Sequence, residues 1–343
     1  PRRVGCERGR PIRGLTVDPG ASAPPTKSPV LSIGEILIDL IVSDGSANLE
    51  GASTFVARAG GAPANVAVAL ARLGVASAFC GVVGTDPFGK RLRTTLHNSR
   101  VDDSRLRSTN AADTTIAFAW KDERGDGHFR LLRMADRLLS PDDIDSASIA
   151  ETAAIVVGSV ALAANPSRAA IIRAGEIALA QNVPICFDVN LRPAMWSGPD
   201  AARVACGPIF SRATLLKFSL DDARYLFNEA DDPDRALDHI VSFGAKYKVL
   251  TDGARGAWFV AKSAEPVHVP AFAVDAIEPT GAGDAFTAAL VARLIGNGWL
   301  SLSREDVVYA SAAGALTSMR RGAMDALPTA SAVETFLATH AER

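Results

Sequence analysis

The segment Glu278-Pro279-Thr280-Gly281-Ala282-Gly283-Asp284-Ala285-Phe286 reads as a loop that runs straight into a helix. Ala285, Ala288, Ala289, Ala292 and Leu294 are strong helix formers, and Phe286, Leu290 and Leu294 recur at the spacing of one buried face. Gly296 and Gly298 then end the helix. A helix start preceded by Gly-Ala-Gly leaves backbone N–H donors unpaired and a partial positive charge pointing outward, which suits a phosphate or a developing oxyanion. Asp284 puts a carboxylate where an anion site would want none. Two readings stay open from this segment alone: a tight turn followed by a dipole-favoured acid, or an anion site with an acid beside it to do chemistry.

A chain of 343 residues can hold one large α/β domain or two small ones with ample core. Its net charge of −2, with no dominant basic patch, argues against a nucleic-acid partner. Cys6, Cys80, Cys186 and Cys206 lack the close pairing of a zinc site or redox motif and read as reduced thiols of a cytoplasmic protein. No apolar run approaches the roughly 18 residues needed to cross a bilayer. Residues 1–29 are punctuated by Pro1, Pro11, Pro19, Pro24, Pro25 and Pro29, charged by arginines and poor in apolar residues. They read as a disordered N-terminal tail, with residues 30–343 as the folded domain. Glu7 and Asp18, the scarcity of serine and the lack of an amphipathic period argue against a transit peptide.

Along the folded part, Val30–Ile33 reads as a strand and 36–41 as a second extended piece, interrupted by Asp39. A charge inside an apolar strand is costly unless it faces a partner or a polar ligand, so Asp39 is a candidate hydroxyl-binding carboxylate. Gly60-Gly61-Ala62-Pro63-Ala64-Asn65 opens an almost wholly apolar helix that stops at Gly74. Asn65, a poor helix former in its first turn, can reach a ligand held over Gly60-Gly61 or simply cap the backbone. Gly84-Thr85-Asp86-Pro87-Phe88-Gly89-Lys90-Arg91 approaches a phosphate loop but carries Arg91 in place of a hydroxyl, Pro87 in place of an N–H and an anion-repelling Asp86. It reads instead as a strand-to-helix connection. Residues 113–133 form a hairpin, Thr114–Trp120 returning through His128–Leu132, placed like a lid or an edge ribbon.

From Ala154 onward short apolar strands alternate with helical stretches, which means βαβ units around a parallel sheet covered on both faces. Ligands of such sheets bind beyond the carboxyl ends of the strands. Polar clusters follow three of them: Asp188-Val189-Asn190-Leu191-Arg192, then Ser219 and Asp222, then Thr251-Asp252-Gly253-Ala254-Arg255-Gly256.

On these residues the chain resembles the ribokinase-like, or PfkB, family of sugar and nucleoside kinases over about Val30 to Phe336. Two signatures carry the likeness in the expected order: Gly60–Ala67 with Gly74 and Gly84, and Thr280–Phe286, with Asp-x-Asn-x-Arg between them. The resemblance implies a three-layer α/β/α fold with a mostly parallel central sheet and a small β-sheet lid drawn from segments near 36–58 and 113–133. It implies transfer of the γ-phosphoryl of ATP, with Mg2+, to a sugar hydroxymethyl group. Carried over residue by residue, Asp284 resembles the catalytic base, and Gly281, Ala282 and Gly283 the anion hole. Asp39, Gly60, Gly61, Asn65 and Arg192 match acceptor contacts. Ser219, Thr251, Gly253, Gly256 and Gly283 match the nucleotide border. Asp222 stands where relatives carry a magnesium-organising Glu, with Ser219 replacing the accompanying Asn. Glu278 replaces an Asp tied to a monovalent cation such as K+.

The opening Gly-Glu-Ile-Leu-Ile-Asp-Leu and Asp-x-Asn-x-Arg-Pro look most like fructokinases. A 2-keto-3-deoxygluconate kinase is the runner-up; ribokinases and nucleoside kinases fit less well. A catalytically silent binding or regulatory protein of the same fold is the non-enzyme alternative. Sugar and ATP are the expected partners, and the assembly is left open, a homodimer included.

Overall fold

The computed structural model describes residues 28–124, 127–228, 232–261 and 264–340. Residues 1–27, which hold nearly all of the expected tail, lie outside the described residues. The strands are, in chain order, Val30–Ile33 (β1), Leu37–Val42 (β2), Phe55–Gly60 (β3), Ser77–Gly84 (β4), Asp102–Thr109 (β5), Ile116–Lys121 (β6) and Gly127–Leu132 (β7). They continue as Ala154–Gly158 (β8), Ile185–Asp188 (β9), Leu215–Ser219 (β10), Tyr247–Thr251 (β11), Ala257–Ala261 (β12) and Val267–Val269 (β13).

The larger sheet runs β13-β12-β11-β10-β9-β8-β1-β4-β5, parallel from β11 to β5 and antiparallel only at the β12–β13 edge. Its central strands β1, β4, β8 and β9 are buried along their whole length. A strand buried on both faces needs cover on both, and two apolar cores supply it. One core joins the sheet to the helices Ala62–Arg72, Ala282–Gly296 and Arg304–Ser318. The other joins it to Ser167–Ala180, Pro199–Phe210 and Leu220–Phe227. Among the described residues no helix is long and apolar enough to cross a membrane.

A second sheet has the order β3-β2-β6-β7. The expected hairpin is present as β6 and β7, but β6 also pairs in parallel with β2, so the ribbon joins β2–β3 in one four-stranded layer. Cross-strand register places Asp39, Arg58, Ala117 and Leu131 in one row and Ile41, Val56, Ala119 and Phe129 in the next. Rows two residues apart share a face, and this face turns toward the larger sheet across a cleft.

The segment 84–91 is a strand end followed by a helix start. Asp86 caps the helix Pro87–Asn98, accepting from Phe88 N–H at 2.8 Å and Gly89 N–H at 3.0 Å. Its other oxygen accepts Thr114 N–H at 2.7 Å, tying the helix to the strand that leads into β6. Replacing Asp86 by Ala removes both ties and should lower the unfolding free energy by about 1–2 kcal/mol, with Asp86→Asn intermediate. Urea unfolding followed by circular dichroism measures it; an unchanged midpoint would remove Asp86 from this role.

Candidate active site

The cleft between the two sheets has a volume of about 1500 Å³. Asp284 lies at its floor, in the first turn of the helix Ala282–Gly296, and is buried. Gly281 precedes that helix at φ +83°, a left-handed conformation, and lines the cleft with Gly283, whereas Ala282 does not line it and gives its N–H to the Pro279 carbonyl at 3.0 Å. A Cβ at Gly281 would come 3.1 Å from the Ala323 backbone, and one at Gly283 would come 3.2 Å from Lys217 Nζ. The Gly-Ala-Gly turn is therefore packed closely from two sides, with a lysine ammonium against it.

Asn65, in the first turn of the helix Ala62–Arg72, donates from Nδ2 to Asp284 Oδ2 at 2.7 Å. Asn190 Nδ2 approaches Asp284 Oδ1 at 3.5 Å. Behind Asp284 lies a buried network: Lys217 Nζ meets both oxygens of Asp188 at 3.0 and 3.2 Å, and Thr287 Oγ1 donates to Asp188 Oδ2 at 2.6 Å. Burial pushes the Asp284 carboxyl up to about 6, with the charge of Asp188 adding to the rise and Asn65, Lys217 and Arg192 opposing it. Burial also opposes the charge of Lys217, but Asp188, Asp222 and Asp284 together hold its ammonium above the ordinary range.

Asp39 reaches the cleft from β2. Its carboxylate has room only because residue 60 is glycine: a Cβ there would lie 2.0 Å from Asp39 Oδ2. Gly61, at φ +104°, passes so close to the β1–β2 crossing that a Cβ would lie 2.6 Å from the Glu35 carbonyl. Burial raises the Asp39 carboxyl to about 7, Arg192 opposing and the charges of Asp284 and Glu278 adding. Arg192 sits over the Phe129 ring at 5.6 Å, and its Nη1 donates to Asn190 Oδ1 at 2.6 Å. Asp39, Gly61, Asn65, Arg192, Glu278, Gly281, Gly283 and Asp284 thus share one cleft.

Ser219, Thr251, Gly253 and Gly256 do not line it. Ser219 and Thr251 are register partners at the carboxyl ends of β10 and β11. Gly256 meets a backbone demand, since a Cβ would lie 2.2 Å from the Val269 carbonyl. Asp222 is buried, accepting Leu191 N–H at 2.7 Å and Ser219 N–H at 2.8 Å, so that it joins the loop after β9 to a helix cap. Glu278 Oε2 accepts Gly322 N–H at 3.3 Å. Lys217, Asp188, Thr287 and Glu35 had been given no role from sequence. Lys217 interrupts the apolar run Leu215-Leu216-Lys217-Phe218 as Asp39 interrupts its own, and the same reasoning flags it.

The profile of the pfkB family of carbohydrate kinases matches residues 27–330. The chain belongs to this family. The pfkB-family chain is 34% identical over 307 residues to fructokinase-1 of Zea mays, covering 88% of this chain and 94% of the maize protein. Its fold superposes on the fructokinase of Vibrio cholerae O395, solved with fructose, ADP and calcium ion bound, with a TM-score of 0.78 at 32% identity over 91% of this chain and 99% of that one. The fructokinase of Xylella fastidiosa with bound ATP gives a TM-score of 0.80 at 27% identity, over 92% of this chain and all of the other (100%).

Because folding raises the Asp284 pKa, ionising it costs stability as pH climbs from the ordinary carboxylate range to about 6. Asp284→Asn should therefore melt higher than the parent at neutral pH while kcat falls roughly 10²- to 10⁴-fold. In the parent, kcat/KM for the acceptor should decline as pH drops below about 6. A melting curve and a pH–rate profile test this; near-parental turnover in the Asn variant would remove Asp284 from catalysis.

Proposed function

We propose that the chain phosphorylates the hydroxymethyl group of fructose at the expense of ATP. One observation supports this above all: a buried, ionisable Asp284, held by Asn65, stands at the start of a helix whose Gly281–Gly283 turn can hold a phosphoryl group. The acceptor hydroxyl hydrogen-bonds to Asp284, which orients it and takes its proton late, since a loose phosphoryl-transfer transition state needs little early deprotonation. The N–H groups of Gly281 and Gly283 and the Lys217 ammonium receive the negative charge that develops on the transferring group, while Ala282 N–H, expected to join them, is held by the Pro279 carbonyl.

The acceptor end presents Glu35, Asp39 and Asp284 against Arg192, a balance that suits a neutral polyol better than an acid. Arg192 is the feature that supports a 2-keto-3-deoxygluconate reading, since it could pair with an acceptor carboxylate. For ATP, Ser219 and Thr251, register partners at the carboxyl ends of β10 and β11, and Gly253 and Gly256 in the loop after β11 are the residues we assign to the nucleotide. Magnesium would shield the phosphate charge. Among the described residues no group of three or more acidic, His or Cys side chains is arranged as a metal cage, which fits an ion carried chiefly on the nucleotide phosphates. Cys80, Cys186 and Cys206 are buried free thiols, in keeping with a cytoplasmic setting.

A coupled assay of ADP release across fructose, 2-keto-3-deoxygluconate, ribose and adenosine should give the highest kcat/KM for fructose. Release with none of them would sink the kinase reading, and a preference for the keto acid would move the assignment to the alternative. Since Glu278, which stands in place of the cation-linked Asp, is engaged by Gly322 N–H, replacing K+ by Na+ in that assay should leave the rate unchanged.

A further inference from the structure

Glu35 is a buried acid in the cleft that the phosphoryl-transfer scheme leaves without a task. It lies in the short crossing between β1 and β2, is 4% exposed and lines the cleft. Oε1 accepts Ala62 N–H at 3.2 Å, at the start of the helix Ala62–Arg72. Oε2 is buried and has no hydrogen-bond partner. Asn65, three residues farther along that helix, is in the same condition: Nδ2 is given to Asp284, while Oδ1 is buried without a partner. Among the described residues lining the cleft, these are the buried side-chain oxygens left unpaired. Native structures rarely leave such atoms unpaired, and two of them at one helix turn ask for a ligand group that can both donate and accept.

We propose that Glu35 is a substrate-binding residue, whose Oε2 exchanges a hydrogen bond with an acceptor hydroxyl that also donates to Asn65 Oδ1. The inference rests on the kinase reading and names a contact within it. A hydroxyl has one proton to give and two lone pairs, so it donates to Asn65 and accepts from the Glu35 carboxyl. That direction requires Glu35 in its neutral form. Burial pushes its carboxyl up to about 7, with Asp136 adding to the rise and a backbone hydrogen bond, Arg133 and Arg192 opposing it. Arg133 is engaged with Asp136 at 2.6 Å, the Val160 carbonyl at 2.8 Å and Ser167 Oγ at 3.2 Å. Asp39 and Asp284 are the other cleft acids whose carboxyls burial raises, Asp122, Glu123 and Glu278 also line it, and Asp284 is needed ionised while Glu35 is needed neutral. Ionised Glu35 faces the hydroxyl as an acceptor only, so acceptor affinity falls as pH rises through its pKa.

The test is steady-state kinetics of the parent, Glu35→Gln and Glu35→Ala with the accepted sugar and its monodeoxy analogues, across pH. Glu35→Ala should raise the acceptor KM about tenfold and leave the ATP KM unchanged. Glu35→Gln, which keeps a donor and an acceptor, should stay within about threefold of the parent near pH 6 and hold its affinity above pH 8, where the parent loses it. The parent should discriminate against one deoxy analogue, and Glu35→Ala should treat that analogue and the parent sugar nearly alike, a coupling that general structural damage does not produce. An unchanged acceptor KM in Glu35→Ala, or an alkaline loss in Glu35→Gln equal to the parent's, overturns the assignment. If Glu35→Ala does not fold, the Gln profile decides alone. A parent protein that phosphorylates no acceptor overturns the kinase reading together with this contact; an active parent with indifferent Glu35 variants overturns the contact only.

Discussion

Asp284, the proposed base, is a buried carboxylate, and burial works against its charge. The cleft answers with dipoles and a cation rather than with water. Asn65 donates to one oxygen, Asn190 approaches the other, and the carboxylate lies in the first turn of the helix that begins at Ala282. Lys217 adds a full positive charge, but Asp188 and Thr287 hold it in place so that it does not collapse onto the base. The result is an acid raised only as far as about 6, which leaves it ionised at neutral pH. A stronger pull from Lys217 would make a poorer base, and a weaker one would raise the carboxyl further.

The glycines serve this arrangement by removing side chains from places where backbones and carboxylates must approach. Gly60 makes way for Asp39, Gly61 for the Glu35 carbonyl, and Gly281 lets the anion turn close against Ala323. An added Cβ would meet atoms at 2.0 Å at Gly60 and 2.6 Å at Gly61, too close without a shift, while at Gly281 a tight 3.1 Å approach is joined by a left-handed φ of +83° that disfavours a side chain. The apolar helix Ala62–Arg72 and the alanine-rich Ala282–Gly296 belong to the same core, so the two turns that carry Asn65 and Asp284 are positioned by one block of packed side chains.

Much of this was legible along the chain wherever a local rule applied. Alternating apolar strands and helices gave the parallel sheet, the helix formers after Gly283 gave the site helix, and a lone acid in an apolar strand pointed to Asp39. Relations between distant segments were another matter. Asn65 and Asp284 are 219 residues apart, and only likeness to a family joined them before the fold did. The parallel pairing of β6 with β2 is equally nonlocal, and it turns a ribbon into the outer wall of a cleft. Glu35 is not distinguishable along the chain because it follows Gly34 at a strand end, where an acid looks like an ordinary turn residue. Its burial comes from the helix laid over it. Asp222, expected near magnesium, has both oxygens on backbone N–H groups, a use that residue type and spacing do not distinguish from metal duty.

The chain passes from the larger sheet to the smaller one through Gly34–Ile36 and returns at Gly61, and both crossings lie beneath the start of the helix Ala62–Arg72. Asp39 is therefore carried by the small sheet and Asp284 by the large one, while Glu35 and Asn65 stand at the joint between them. An acceptor held by all four bridges two layers that are otherwise linked across the cleft by contacts such as the Arg58–Asp325 ion pair and the Arg192–Phe129 stack. In the proposed scheme, binding energy gained at Asp39 holds the small sheet over the phosphoryl group, because the same molecule touches both walls. Water is the competing nucleophile in any such transfer, and closing the layer that recognises the sugar is also what excludes it. On that reading, recognition and protection of the reaction depend on the same few residues at the crossing.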